Sequence, residues 1–511
     1  MARDRGLGRS LARRAELSGH RTALVFEDRE WTYAELDRDV NAVAGGLRAF
    51  GVGAGDRVAF LDLNHPHFLI TMFATAKLGA IMVPLNFRLT TPELAFIVED
   101  AGVHTLIYDE QFAGSVDAFR AAGLCRRYVR QQDGGADPSF RSLLETPPER
   151  WDNDVSDQDV ALVMYTSGTT GLPKGAMLTH ANLMSAAANF GLAFDTLADD
   201  VTLVVAPLFH IGGINVTTLI SLVKGACVVL VRSFDPKLVL DLIAARGVNT
   251  MFAAPTMLLV MSQLDTFGDA DLRSLRLLIC GGAPVPEALV RVYLERGVPV
   301  CNGYGMTETA PLITIVPPDR VLDKIGSAGL PAFFTEVALV DDDDRPVRQG
   351  ERGEIVVRGP NVMKGYWNRP DATAQAVVNG WMHTGDIGVQ DEDGYFYVVD
   401  RKKDMIISGG ENIYPAEVEN CLYDHPAVAE VAIIGVPDPK WGEVPCAVVA
   451  PRKDAELTAE ALVDFTRDKL APYKQPKRVV FVDELPRNPS GKVLKFQLRE
   501  QYGREAGATT R

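Results

Sequence analysis

Tyr165-Thr166-Ser167-Gly168-Thr169-Thr170-Gly171-Leu172-Pro173-Lys174-Gly175 is the stretch on which the reading of this chain turns. It follows an apolar run, Val160–Met164, that reads as a buried strand. Gly168, Gly171 and Gly175 let the backbone approach an anion closely. Thr166, Ser167, Thr169 and Thr170 add hydroxyl donors, and Lys174 adds a positive charge. A strand opening into such a loop suits a phosphate chain. The spacing G-x-x-x-x-G-K-[ST] is not met, so this is not a Walker loop. On composition alone, a Ser/Thr/Gly surface loop is the competing reading.

Upstream of it, helical and strand periodicities alternate. Tyr33–Phe50, Phe68–Leu78 and Pro92–Ala101 read as helices; Arg57–Leu63, Ile81–Pro84 and His104–Tyr108 read as strands. Gly51–Asp56 reads as a turn, a near miss of a dinucleotide fingerprint. Downstream, Val201–Ala206, Cys227–Val231, Thr250–Ala253 and Leu275–Ile279 are short apolar runs typical of strands buried on both faces. The rhythm predicts mostly parallel sheets covered by helices. After about Gly326 it changes to Glu336–Val340, Gly353–Val357 and Tyr395–Val399, joined by turn-rich segments, as in a small β unit. From about Asp404 the pattern is α+β: helices at Ala416–Leu422 and Leu457–Leu470, and strands at Val428–Val436, Val444–Ala450 and Arg478–Val482.

A chain of 511 residues exceeds the size of a single core, so more than one domain is expected. The 52 Lys and Arg against 67 Asp and Glu leave a net charge of −15, which argues against nucleic acid as a partner. Any polyanionic ligand must then meet a locally basic site. From Ala461 to Arg511 the balance reverses, with eleven Lys and Arg against six Asp and Glu. Six scattered cysteines form no C-x-x-C pair, so neither a zinc site nor a disulfide framework is expected, and a cytoplasmic setting fits. Met1–Leu17 has no apolar core of a secretory signal. Thr202–Val223 lacks Asp, Glu, Lys and Arg, but its Pro207, His210, Gly212, Gly213 and Asn215 favour a buried strand, loop and helix over a membrane span.

Other motifs stand in order along the chain: Pro207-Leu208-Phe209-His210-Ile211-Gly212-Gly213, Gly281-Gly282-Ala283-Pro284, Asn302-Gly303-Tyr304-Gly305-Met306-Thr307-Glu308-Thr309, Trp381-Met382-His383-Thr384-Gly385-Asp386, Asp400-Arg401-Lys402-Lys403-Asp404 and Pro486-Arg487-Asn488-Pro489-Ser490-Gly491-Lys492. Together with the Tyr165 loop they resemble, over nearly the whole chain, the adenylate-forming superfamily, and most of all its bacterial medium- and long-chain fatty acyl-CoA synthetases, with synthetases for ring-containing acids as the rival. The resemblance implies an α/β fold with a large N-terminal domain, residues 1–402, made of two stacked α/β subdomains and a small β unit. A mobile α+β C-terminal domain, residues 403–511, would follow, with its hinge at Lys403. It implies ATP, Mg²⁺ and coenzyme A as cofactors. The carboxylic acid would first become an acyl-adenylate and then pass to a thiol.

The resemblance also assigns roles by position. Thr166, Ser167, Gly168, Thr169, Thr170, Gly171 and Lys174 would hold the β- and γ-phosphates. Gly282, Ala283, Asn302, Gly303, Tyr304, Gly305 and Met306 would surround the adenine. Thr307 would touch the α-phosphate, and Glu308 with Thr166 would hold the metal. Asp386 and Arg401 would reach the ribose, with Lys403 and Lys492 completing the nucleotide set. Ser408, Gly409 and Gly410 would line the path of the thiol arm. His210, Gly213, Ile214, Gly281, Gly305, Met306 and Leu312 would form an acyl pocket for a hydrophobic acid: fatty, aryl or alicyclic. His210 would position the carboxylate; no general base is needed, because the acid is already ionised at neutral pH. Coenzyme A is the expected acceptor because no carrier segment follows Lys492 here. An acyl carrier protein, a homodimer and a non-catalytic nucleotide-binding regulator stay open as alternatives.

Lys492 carries the first half-reaction in this reading, because two anions, the carboxylate and the α-phosphate, must meet there. Lys492→Ala is expected to lower acid-dependent ATP–pyrophosphate exchange by on the order of 10²–10³. Lys403→Pro, a stiffened hinge, is expected to spare that exchange and to impair thioester formation. Normal exchange in the first variant, or equal loss of both steps in the second, contradicts the assignment.

Overall fold

Short runs rich in Val, Ile and Leu can be buried on both faces only when helices cover them, and this governs the architecture. The computed structural model describes residues 6–149, 151, 154–166, 173–283, 285–408, 411–453, 455–467, 469–487 and 493–503. They form two compact units. One comprises Met1–Val337, Val357–Met382 and Gly394–Phe396; the other comprises Ala338–Val356, His383–Asp393 and Tyr397–Arg511.

The first unit contains a nine-stranded and a seven-stranded sheet. In the larger sheet, Thr22–Phe26, Cys227–Leu230, Val201–Val204, Thr250–Ala253, Leu277–Gly281 and Val300–Gly305 run parallel in that spatial order. Arg29–Thr32 closes one edge antiparallel, and Leu312–Ile315 with Leu330–Pro331 close the other. In the smaller sheet the parallel order is Val160–Thr166, Ile81–Pro84, Arg57–Leu61, Thr105–Tyr108 and Arg127–Arg130. Its edge is antiparallel: Lys174–Thr179 returns beside Val160–Thr166, and Gly365–Tyr366 pairs beyond it. One cluster of buried side chains runs through both sheets and the helices on them. Pro66–Leu78 is buried along its whole length except His67, as expected of a helix that is apolar all round. The run Thr202–Val223 becomes the end of a strand and the helices Ile211–Asn215 and Thr218–Lys224. Among the described residues, no helix is long and apolar enough to cross a membrane.

In the second unit, Val428–Asp438 and Gly442–Pro451 form a long antiparallel pair, with Arg478–Phe481 parallel to the latter. Pro415–Tyr423 and Ala459–Thr466 pack over one cluster of its buried residues, and Lys495–Tyr502 contributes to the other. The helix expected over Leu457–Leu470 is shorter. The Thr458 hydroxyl accepts from the Ala461 amide and sets its start, while the Thr466 hydroxyl turns back to the Val463 carbonyl near its end. The strand Lys174–Thr179 was not foreseen, because Lys-Gly-Ala-Met-Leu-Thr is a weak strand pattern; its pairing comes from the hairpin that contains the Tyr165 loop.

Side-chain amides hold the first unit where backbone groups lack ladder partners. Asn361 is fully buried; its Nδ2 donates to the carbonyls of Thr309 (3.1 Å) and Leu312 (2.7 Å), and its Oδ1 accepts from the Thr335 hydroxyl. Asn361→Leu would leave these groups unpaired. It is expected to cost about 2–4 kcal/mol, read as a lower thermal midpoint; an unchanged midpoint contradicts that role.

Candidate active site

The motifs converge because of strand order. Pro207–Gly213, Phe252–Ala254, Gly282–Ala283 and Met306–Glu308 follow or end neighbouring parallel strands of the nine-stranded sheet. They therefore share its carboxyl edge, where open α/β sheets bind ligands. Close approach fixes two glycines there. A Cβ on Gly305 would lie 1.6 Å from the Pro311 carbonyl oxygen, and one on Gly281 would lie 2.6 Å from that of Gly303. Asn302 donates to the Ser327 carbonyl and Met306 N–H to that of Pro311, which hold this strand end in place.

The hairpin of the other sheet meets this edge at Glu308. Thr166 ends its strand opposite Lys174, where the hairpin returns. The Thr166 hydroxyl lies 3.3 Å from Glu308 Oε1, and the Tyr366 hydroxyl donates to the same oxygen at 2.9 Å. The Lys174 ammonium sits 5.4 Å from the centroid of the Tyr366 ring. Glu308 is only 6% exposed and lies in the turn Thr307–Thr309. Ser167, Gly168, Thr169, Thr170 and Gly171 lie outside the described residues, as do Pro284, Gly409, Gly410 and Lys492.

No group of three or more His, Cys, Asp or Glu among the described residues could hold a metal ion. A lone carboxylate fits an ion that arrives with a nucleotide, since Mg²⁺ is typically bound by one or two carboxylates plus phosphate oxygens. Glu308, its orientation set by two hydroxyls, meets that requirement.

His210 stands before the helix Ile211–Asn215 and packs its ring against Phe209, 4.4 Å between centroids. Burial, with Arg88 nearby, pushes its pKa down to about 4, so it is neutral at pH 7. The Phe252 ring lies over Gly212, where a Cβ would come within 2.7 Å of it. Of the other residues expected in an acyl pocket, Ile214 and Leu312 are core side chains, 0% and 2% exposed; Met306 packs against the same core. Gly213 abuts the Pro207 carbonyl. Asn64 was not anticipated. Its Nδ2 donates to the Ala206 carbonyl and its Oδ1 accepts from the Leu208 amide, clasping both sides of Pro207.

In the second unit, Arg401 pairs with Asp386 at 2.6 Å, and Asp386 is almost fully buried. Glu354, also buried, receives the Gly385 amide, Lys402 and the His383 ring, and so fixes the middle of the strand Trp381–Gln390, which carries Asp386. Lys403 lies in the turn Lys402–Asp404, whose Asp404 binds Arg499. Ser408 is buried at the end of a strand, paired with Glu411.

Tyr366, Asn64 and Glu354 escaped the reading of the sequence because their work is to hold other residues. Gly365-Tyr366-Trp367-Asn368-Arg369-Pro370 carries no glycine-rich or charged pattern that announces a site.

The His210 environment predicts a sign. The unfolded ring titrates near 6.5 and the folded one near 4, so the unfolded chain takes up the proton first. Its contribution to stability is intact above about pH 6.5 and is lost as pH falls toward 4. His210→Asn is expected to lessen acid destabilisation between those values, measured by denaturant titration at several pH values. An unchanged acid limb contradicts the assigned shift.

The model of the AMP-binding enzyme family matches residues 11–367, and that of the AMP-binding enzyme C-terminal domain matches residues 417–492. The feruloyl-CoA synthase of an Amycolatopsis species is 49% identical over 501 residues, covering 98% of this chain and 100% of that one. Long-chain-fatty-acid–CoA ligase FadD13 of Mycobacterium tuberculosis is 40% identical over 98% of this chain and 99% of its own. Among solved structures, the o-succinylbenzoate CoA synthetase of Bacillus subtilis with its acyl-adenylate intermediate is 37% identical with a TM-score of 0.86, covering 96% of this chain and 97% of that one. The same enzyme has been solved with ATP and magnesium, at 36% identity over 96% of this chain and 99% of that chain, with a TM-score of 0.86. With both domain models matched in order and near full-length relatives, the chain belongs to the AMP-binding enzymes, as an adenylate-forming acyl-CoA synthetase.

Proposed function

We propose that this acyl-CoA synthetase activates an aryl-substituted carboxylic acid, of the hydroxycinnamic type, and delivers it to coenzyme A in the cytoplasm. The observation that carries the acid is the 49% identity, end to end, with a protein named feruloyl-CoA synthase, against 40% with a long-chain fatty-acid ligase. The aromatic surroundings of the Pro207 loop support it: Phe209, Phe87 and Phe252 offer ring faces and edges.

In the first half-reaction, a carboxylate oxygen of the acid bonds to the α-phosphorus of ATP and pyrophosphate leaves. Thr166 and Lys174, with Ser167–Gly171, hold the departing phosphates. Gly282, Ala283 and Asn302–Met306 hold the adenine, and Asp386 with Arg401 the ribose. A magnesium ion held by Glu308 and the phosphates would neutralise part of their charge. Lys492 steadies the meeting of carboxylate and α-phosphate. In the second half-reaction, the thiol gives its proton to solvent water, its sulfur attacks the acyl carbon, and AMP leaves with the electron pair of the broken C–O bond. The domain of residues 403–511 turns about Lys403 and brings Ser408–Gly410 to the thiol arm. His210, neutral, positions the acyl carbonyl without taking a proton.

The experiment is ATP–pyrophosphate exchange over ferulate, 4-coumarate, indoleacetate, octanoate and palmitate, then thioester detection with coenzyme A. The hydroxycinnamates are expected to exceed the straight-chain acids at least tenfold in kcat/KM. A preference for palmitate overturns the acid, and exchange without thioester overturns the acceptor.

A further inference from the structure

Among the described residues, the segment Met363–Arg369 is bonded to the Glu308 turn and to the hairpin that carries Thr166 and Lys174. The Met363 amide donates to the Glu308 carbonyl at 2.8 Å, and the Tyr366 hydroxyl to the Glu308 carboxylate at 2.9 Å. The Lys364 and Trp367 amides donate to the carbonyls of Met177 and Gly175, on the returning strand of the hairpin. Beyond that, Trp367 Nε1 and Asn368 Nδ2 donate to the Asp100 carbonyl, and Arg369 pairs with the Asp100 carboxylate at 3.1 Å. The other oxygen of that carboxylate accepts from the Tyr165 hydroxyl at 2.6 Å. Tyr165 is the residue from which the phosphate-facing loop departs. One short segment is thus bonded to the turn bearing Glu308, to the outgoing arm of the hairpin through Asp100, and to its returning arm directly.

The chemistry at Glu308 gives these bonds a purpose. A carboxylate that must hold a cation has to present one oxygen outward while the rest of the group stays fixed. Two hydroxyls converge on Oε1, so the carboxylate plane is set from one side. Of the two, Thr166 is the longer contact, and it stands at the mouth of a loop that must take up phosphates. Tyr366 is the closer donor. It is anchored in the strand pair Gly365–Tyr366 with Ala176–Met177.

We infer that Tyr366 is the positioning residue of Glu308, with Met363–Arg369 as the brace that keeps Glu308 and the phosphate hairpin in register. The inference rests on the reading of Glu308 as the side chain that meets the nucleotide's magnesium. Tyr366 touches neither phosphate nor substrate in this assignment; it acts through the carboxylate.

The test is ATP binding by calorimetry, without acid, in the presence and absence of magnesium. The quantity read is the ratio of the two dissociation constants. The full-length enzyme is expected to bind more tightly with magnesium. Glu308→Gln is expected to remove most of that advantage. Tyr366→Phe keeps the ring beneath Lys174 and removes only the hydroxyl. It is expected to shrink the magnesium advantage roughly tenfold, in line with loss of one hydrogen bond to a charged acceptor, while ATP affinity without magnesium stays within about twofold. A Tyr366→Phe enzyme that loses affinity equally in both conditions overturns the inference, since a purely structural role predicts that result. So does an unchanged ratio in Tyr366→Phe alongside a collapsed ratio in Glu308→Gln. If Glu308→Gln itself keeps the full advantage, the reading of Glu308 fails instead.

Discussion

Two anions must be brought to bonding distance, and the structure is organised around that repulsion. A carboxylate and a triphosphate do not approach one another without compensating charge and fixed donors. This chain carries a net charge of −15, so the compensation must be local. On the proposed reading it is assembled by fold rather than by a basic surface. Neighbouring parallel strands end at one edge of the nine-stranded sheet, a hairpin from the other sheet contributes Thr166 and Lys174, and Glu308 stands where they meet. A lone carboxylate there is a liability unless its orientation is set. The Tyr366 and Thr166 hydroxyls converging on one oxygen set it.

The same logic recurs wherever a reactive segment leaves the regular structure. Asn64 clasps the carbonyl and amide on either side of Pro207, so the loop bearing His210 starts from a fixed point. Asn361 bridges the strand Leu312–Ile315 and the turn carrying Glu308. Glu354 gathers Gly385, His383 and Lys402 beside Asp386 on the strand Trp381–Gln390. Each is a buried polar side chain whose capacity is spent on the backbone or on a charged neighbour. Such groups are costly to bury unless satisfied, and once satisfied they specify one geometry.

This division explains what could be read in advance. The α/β alternation was legible because Tyr33–Ala49 has a 3.6-residue period while Ile81–Pro84 and Thr250–Ala253 are short apolar runs, and burial dictates composition in each. The ordered motifs were legible as membership of the AMP-binding enzymes, whose two models match the chain in order. The returning strand Lys174–Thr179 was not legible, since its pattern is weak alone and its register comes from its partner. Tyr366, Asp100 and Asn64 were not legible either. Each looks like an ordinary residue of a turn, a helix end or a loop, and its partner lies at a sequence distance that no local pattern encodes: 58 residues for Tyr366 and Glu308, 65 for Tyr165 and Asp100, and 144 for Asn64 and Leu208.

On the proposed reading, in which His210 faces the acyl group, selectivity on that side follows from its charge state. A neutral imidazole offers a hydrogen bond but no ion pair, so the carboxylate must draw its countercharge from elsewhere, and every acid shares that part of the interaction. Discrimination is then left to the remainder of the molecule, met by ring faces and core side chains around Pro207–Gly213. Apolar walls distinguish one methylene by about 1–3 kcal/mol, a 10–200-fold preference. They reject an added hydroxyl weakly unless a buried polar partner is waiting for it. A pocket of this kind grades its substrates by fit and does not exclude them outright. On that reading the identity of the preferred acid depends on a few ring contacts such as Phe252 over Gly212, while the adenylation machinery is common to the family.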